Sequence, residues 1–343
     1  MPSKTATLPI PSGYTSIPPS AMPLISPSAL LHAHLTQTPP HRPSHRLPTS
    51  CRQITFNTSS ITHANGSSLI RIGDTAIVCG VRAELLPVAE IANYRITRTD
   101  DVPLDNEDYT EVIVNNLLVP NIELSMGCSP SHLPCGPPSV EAQSLSQRLL
   151  GLLHTSRVVG KEDLKIYYTL PADADEEERA KGPQLKAYWT LYIDILCISY
   201  GGNVFDAAWL ALYAALRDTA LPRAWWDADL KQILCSAEVP EAKKLSLHGM
   251  PVPLSWSVFV PEVRTGKKIG QEEMWVLCDP DAFEEDCCLE GGCVVVDMDS
   301  KGRAEILKLE KNGGGRIRGQ ELRFLFGLAE KRWKQWEQTL KDG

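Results

Sequence analysis

The chain has 343 residues, 43% of them hydrophobic and 22% charged, with a formal net charge of −8. These figures fit a globular protein of one large or two modest domains. The acidic balance excludes a protein that holds nucleic acid by its overall field, so any RNA contact must be local or shared with partners.

No run of about 18 apolar residues reads as a membrane span. The ten cysteines follow no regular spacing, which in a chain this long points to reduced intracellular thiols rather than a secreted disulfide framework. Residues 1–50 are rich in Pro and Ser and carry no acidic residue. Lys4 is the one Lys or Arg before Arg42, too few basic groups for a transit peptide, and no apolar core follows the first Met. Residues 1–22 are expected to be disordered. Ser26 then offers a cap, Pro27 a first helical position and the following leucines an apolar run, so a short helix is expected. His32, His34, His41 and His45 have no Cys or acidic partners nearby and read as solvated loop histidines rather than metal ligands.

In the segment 59–84, Asn65-Gly66 and Gly73-Asp74 predict an antiparallel meander with two tight turns. Residues 87–118 are polar and acidic and read as an insertion. A strand returns at 119–124. Cys128 and Cys135 flank a Ser/Pro/Gly loop, a weak zinc signal without a second pair. GPPSVEAQ at 136–143 opens a helix to about His154, with Leu145, Leu149, Leu152 and Leu153 on one face. Residues 161–166 lead into an edge or connecting strand. A charge run at 173–179 lies in a second insertion, 171–187.

The long strand 188–200 ends in Gly201-Gly202-Asn203 and is followed by an apolar helix over 204–217, a strand–turn–helix unit. Strands at 254–260 and 274–278, an acidic loop at 279–290 and a hairpin at 293–299 and 304–309 precede a helix over 319–340. Leu322, Phe326, Ala329 and Trp333 give that last helix an apolar stripe. The fold class is α+β: two β-rich halves, each followed by helices, in one domain.

Some stretches carry more than secondary structure. The meander GSSLIRIGDTAIVCGVRAEL, the helix opening GPPSVEAQ and the residues Asp194, Gly202, Asn203, Asp206 and Ala207 resemble motifs of the ribonuclease PH family, in the same order. Arg42-Pro43-Ser44-His45-Arg46 is similar to that family's Arg-Pro-Asp-x-Arg, with Ser in place of Asp. The resemblance covers roughly residues 23–340 and is strongest to the non-catalytic branch, the ring subunits of the eukaryotic RNA exosome. It implies a ribonuclease PH-like fold (ribosomal protein S5 domain 2-like) over 23–343. It also implies other ribonuclease PH-like ring subunits and S1/KH cap proteins as partners, RNA passing through the assembled ring, and no membrane. The implied location is nucleus and nucleolus, and also cytoplasm.

Active members of that family break a phosphodiester with phosphate or water, chemistry that needs a divalent ion and basic groups around the phosphate. The resemblance implies two metal-binding aspartates, in and just after the acidic loop. The first falls at Glu285 or Asp286. The second falls at Cys293, a poor ligand for hard Mg²⁺, and Gly291 and Gly292 beside it offer no side-chain oxygen. The phosphate-holding turn is replaced by Gly202-Asn203-Val204. Arginines along the helix after GPP have become Gln147, Gly151 and His154, while Arg148 and Arg157 remain. The expectation is an inactive relative with no cofactor and no metal, a degenerate site at Glu285, Asp286 and Cys293, and RNA-binding candidates Arg42, Arg46, Arg148 and Arg157. Two rivals stand beside it: an active phosphorolytic 3'-to-5' exoribonuclease, and a zinc-binding protein using Cys287, Cys288 and Cys293. Trp225 and Trp226, in an expected turn after Leu221-Pro222, are interface candidates.

Overall fold

The computed structural model describes residues 21–91, 107–130, 138–168, 183–261, 274–299, 301–314 and 317–342. Helices α1 (Met22–Ile25) and α2 (Pro27–Leu35) lead in, with Pro27 in the first turn of α2, where its missing N–H has no intrahelical partner to lose. Strands β1 (Ile54–Thr58), β2 (Gly66–Ile72) and β3 (Thr75–Pro87) come next. Then follow α3 (Glu107–Val114), β4 (Leu118–Leu124), α4 (Val140–Ser156), β5 (Lys165–Tyr168) and β6 (Gln184–Ser199). Helix α5 (Val204–Asp218) precedes β7 (Ala220–Leu221), β8 (Ala224–Asp227), β9 (Gln232–Cys235) and β10 (Lys243–Lys244). The chain closes with β11 (Val252–Phe259), β12 (Trp275–Cys278), α6 (Ala282–Cys287), β13 (Glu290–Met298), β14 (Ala304–Asn312) and α7 (Gly319–Asp342).

The first sheet runs β1-β2-β3-β6-β4, with β5 also on β6; the second runs β12-β11-β13-β14. The β4–β6 pairing is parallel and the other ladders of the two sheets are antiparallel. Helix α5 packs against β2, β3 and β6 of the first sheet and β11 of the second. Residues 204–216 are all buried, as a helix apolar on every side requires. Strand β13 divides the interior by alternation. Cys293 and Val295 join the cluster around α5, while Val294 and Val296 meet Leu325 and Ala329 of α7.

The structure corrects several local expectations. Strand β1 was not anticipated; it pairs Ile54 with Ile72 and Thr58 with Ser68. Residues 59–65 form a loop instead of a two-residue turn, because Asn65 is tied across to β3: its side chain accepts from Ala83 N–H (2.9 Å) and its N–H donates to Val81 O (2.8 Å). The turn at Gly73 (φ 59°) is tight, as expected. The segment 87–118 is more than a polar insertion, since Tyr109 and Val112 of α3 enter the core. Strand β6 begins inside the supposed second insertion. The acidic loop contains α6, started by a capping box in which Asp281 and Glu284 each accept from the other's N–H, both at 3.0 Å. Trp225 and Trp226 lie in β8, paired with β9, not in a turn. Residues 1–20, Cys135 and the charge run 173–179 lie outside the described residues. Among the described residues no helix is long and apolar enough to cross a membrane, and nine cysteines are free thiols.

Candidate functional site: a buried ion cluster and the cleft beside it

The site grows from the turn between β6 and α5. Gly202 has φ +86°, and a Cβ there would lie 2.3 Å from the Ala282 nitrogen, so only glycine lets the start of α6 dock on this turn. The Thr75 hydroxyl donates to Gly202 O (2.7 Å). Asn203 follows, buried, with its Nδ2 donating to Asp206 Oδ2 (2.9 Å) and Asp279 Oδ1 (2.7 Å). Two carboxylate acceptors fix which end of the amide is nitrogen. Asp206 also accepts from the Ser255 N–H (3.1 Å) and hydroxyl (2.7 Å). Asp279 accepts from Arg52 three times, at N (2.7 Å), Nε (3.1 Å) and Nη2 (2.8 Å).

These two carboxyls titrate in opposite directions. Burial works against charge on both. At Asp279 the hydrogen bonds and positive charge of Arg52 outweigh it and hold the carboxyl well below its usual range. Asp206 makes no ion pair among the described residues, and burial pushes it up.

The segment before β1 straps this cluster down. Arg42 is fully buried, pairs with Glu284 at 3.0 Å, and donates to the carbonyls of Pro48, Cys278 and Asp279. Burial lowers Arg42 and raises Glu284, each opposed by the partner's charge. Arg46 reaches Asp281 (3.4 Å), Glu284 (3.6 Å) and Asp279 (3.9 Å). Arg42, expected as an RNA contact, is therefore a structural clamp that no phosphate reaches. Arg46, at 17% side-chain exposure, already faces three carboxylates.

Beside the cluster opens a cleft of about 370 Å³ whose lining includes Glu141, Arg148, Tyr200, Asn203, Trp256, Glu285, Gly292 and Glu310. Arg148 donates to Glu310 Oε2 from Nε (3.0 Å) and Nη2 (2.8 Å), and its guanidinium lies 3.9 Å over the Phe205 ring. Lys308 adds a contact to Glu310 at 2.6 Å. Cys293 is paired with Glu310 across the β13–β14 ladder and is buried, with burial pushing its thiol far up. The Trp256 ring covers Gly292; a Cβ there would sit 1.8 Å from it.

Glu285 accepts from the Asn203 N–H (2.8 Å), and the Tyr200 hydroxyl lies 2.9 Å from Glu141 Oε1 and 3.4 Å from Glu285 Oε2. Burial raises Glu285 to about 7, despite the lowering effects of Asn203, Arg52 and Tyr200. Asp286 is exposed and does not line the cleft. Of the two candidates for the first metal position, Glu285 is the one in the cleft.

This donor set does not fit a hard divalent ion. Burial raises the one carboxyl towards its neutral form, and the second position is a buried thiol that burial keeps protonated. Nor do the three cysteines of the zinc reading converge. Cys287 and Cys288 pack against the cluster of Leu31, Leu35, Phe259 and Leu277, whereas Cys293 belongs to the main core. Burial raises Cys287 to about 11 and Cys288 to about 12, away from the thiolate that zinc needs. Among the described residues no group of His, Cys, Asp or Glu side chains is arranged to hold a metal.

Arg157 closes α4 in a left-handed conformation (φ 49°), its guanidinium 5.4 Å from the Tyr109 ring centre. Trp225 is 41% exposed; Trp226 is half-buried under Lys186, 5.1 Å from its ring centre. Arg52, Tyr200, Trp256 and Glu310 carried no signal in the sequence, whereas Glu141 stands within the GPPSVEAQ motif. Asn203 and Asp206 carried one, through the turn motif that contains them.

A β-strand, glycine turn and apolar helix, with a β-hairpin meander before them and a second sheet behind, define a ribonuclease PH-type protein. The chain belongs to the 3' exoribonuclease family (RNase PH), matching its domain 1 over residues 50–222. Among its relatives it is similar to the exosome complex component rrp43 of Schizosaccharomyces pombe, at 33% identity over 86% of this chain and 88% of that protein. It is also similar to the exosome complex component Rrp42 of Methanothermobacter thermautotrophicus, at 27% identity over 68% of this chain and 67% of that protein. A chain of an Archaeoglobus fulgidus exosome with RNA bound to the active site shares the fold with a TM-score of 0.60 and 19% identity, over 91% of this chain and 96% of that one. A chain of an archaeal exosome core gives 0.59 and 19%, over 95% and 100%.

Proposed function

We propose that the chain is a non-catalytic ring subunit of an exosome, a scaffold that helps thread RNA being processed or degraded from its 3' end. The observation that carries the reading is the pair Glu285 and Cys293. Where the family places two metal-binding carboxylates, this chain has a buried carboxyl raised to about 7 and a buried neutral thiol. The partners are other ribonuclease PH-like ring subunits and S1/KH cap proteins. RNA passes through the ring, and the subunit works in nucleus, nucleolus and cytoplasm. The likeness to a 33% identical exosome component over most of both chains supports this reading. The exposed Trp225 on the β8–β9 hairpin suits a subunit contact.

Co-expression with ribonuclease PH-like neighbours, followed by native mass spectrometry, should give a hetero-oligomer that Trp225→Ala weakens. A monodisperse monomer that ignores its homologues would end the ring reading. Single-stranded RNA, phosphate and Mg²⁺ should yield no nucleoside diphosphates, with the natural chain or with Cys293→Asp. Release by either would overturn the non-catalytic reading.

A further inference from the structure

The exit of β4 meets the end of β6 over a pair of cysteines. The parallel ladder sets Leu124 opposite Cys197, and the next residue, Ser125, donates its N–H to Cys197 O (3.1 Å). A turn then brings Cys128 back onto the same segment. Its N–H donates to Ser125 O (3.0 Å), and its carbonyl accepts from Tyr200 N–H (3.0 Å). The two cysteines face one another across paired backbone, and their side chains bond to each other.

The outer member of the pair lies just under the surface. Met126 is 67% exposed, and a Cβ on Gly127 (φ +80°) would meet nothing within 4 Å. Beneath this open turn Cys128 keeps 8% of its surface, whereas Cys197 keeps none. The thiols are also unequal. Burial pushes both up, Cys197 to about 12. At Cys128 the Cys197 side chain and the backbone at Cys128 and Ser129 oppose that rise with hydrogen bonds. The outer sulfur is therefore the better nucleophile. The inner one holds its proton towards Ser199 O, at 3.5 Å.

We propose that Cys128 and Cys197 are a redox-sensitive pair that a hydroperoxide converts to a disulfide, stapling the exit of β4 to the end of β6. The Cys128 sulfur attacks one peroxide oxygen, the O–O bond breaks, and water leaves with the thiol proton, giving a sulfenic acid. Cys197 then attacks that sulfur. The S–S bond forms, the S–O bond breaks, and the hydroxyl leaves with the Cys197 proton as a second water. The two sulfurs lose two electrons and the peroxide takes them up. The resting chain is the dithiol. Strand β4 ends the first sheet and is held there by its parallel ladder to β6. The staple closes a loop of about 70 residues where that ladder ends, so it should resist unfolding. The inference stands apart from the ring reading.

The test uses the full chain, alone and with its ring neighbours, carrying Cys235→Ser to remove the exposed thiol. It is treated with hydrogen peroxide, unfolded in N-ethylmaleimide and mapped by mass spectrometry. The expected result is a Cys128–Cys197 cross-linked peptide, lighter by two hydrogens and reversed by dithiothreitol. The oxidised chain should melt several degrees above the reduced one. Cys128→Ala, a change to a small side chain near the surface, should abolish both the link and the shift. Recovery of Cys197 wholly as the maleimide adduct overturns the proposal, whether Cys128 is then free, over-oxidised or bridged to Cys135. A link between Cys51 and Cys278 in place of this one overturns it too, as does a Cys128–Cys197 link that leaves the melting temperature unchanged.

Discussion

Asp279 and Glu285 stand on the same acidic segment, and both touch Asn203, one through its amide and the other through its backbone N–H. Asp279 is the more deeply buried, and burial alone would make it the weaker acid. The opposite holds: Asp279 stays ionised far into acid, while Glu285 rises to about 7. The difference is a guanidinium. Arg52 bonds Asp279 three times, whereas Glu285 makes no ion pair among the described residues. Where the strap supplies a cation, a carboxylate becomes a structural tie. Where its guanidinium acts only from a distance, desolvation wins and the carboxyl is raised.

Removing the tie should have the largest effect. Asp279→Asn leaves Arg52 buried without its counter-ion and should destabilise the fold by about 3–5 kcal/mol, read from the urea midpoint. Because the folded value of Asp279 is depressed, its contribution is fully present above the ordinary aspartate value of about 3.9 and fades as pH falls through the folded value. The variant should therefore lose part of the acid limb of the stability curve. An unchanged acid limb would show that Arg52 does not hold the charge.

Glu285→Gln should act with the opposite sign. The natural carboxyl is raised in the fold, so its folding penalty grows as pH climbs from about 4.3, the ordinary glutamate value, towards 7. Glutamine should be near neutral at pH 4 and stabilise by about 1–2 kcal/mol at pH 8, seen as a pH-dependent gain in Tm. A loss at pH 8 as large as that of Asp279→Asn would erase the distinction between the two carboxyls. The smallest effect belongs to the half-exposed pair. Arg148→Ala removes the two bonds to Glu310 Oε2 and the contact with Phe205, and should cost about 1 kcal/mol, less at high salt. A cost near that of Asp279→Asn would place the pair with the buried ties instead of the cleft wall.

The sequence by itself determined what depends on near neighbours. Alternation and apolar runs marked β6 and α5, Gly201-Gly202-Asn203 marked the turn between them, and the motif order led to the family. The thiol at Cys293 was legible because residue type alone rules it out as a hard-metal ligand. Tertiary structure decided which charges are inside. An arginine in a Pro/Ser-rich stretch looks the same whether solvated or buried, and the partners of Arg42 and Arg52 lie 242 and 227 residues away. The choice between Glu285 and Asp286 was equally invisible, because the acidic composition of 279–290 reads as loop. Only the capping box that starts α6, docked on Gly202, turns one carboxyl into the cleft and the other to solvent. Local propensity acts over a turn or two of chain. Burial and ion pairing depend on which distant segments meet, and that is set when the strap, the turn and the acidic segment close on one another.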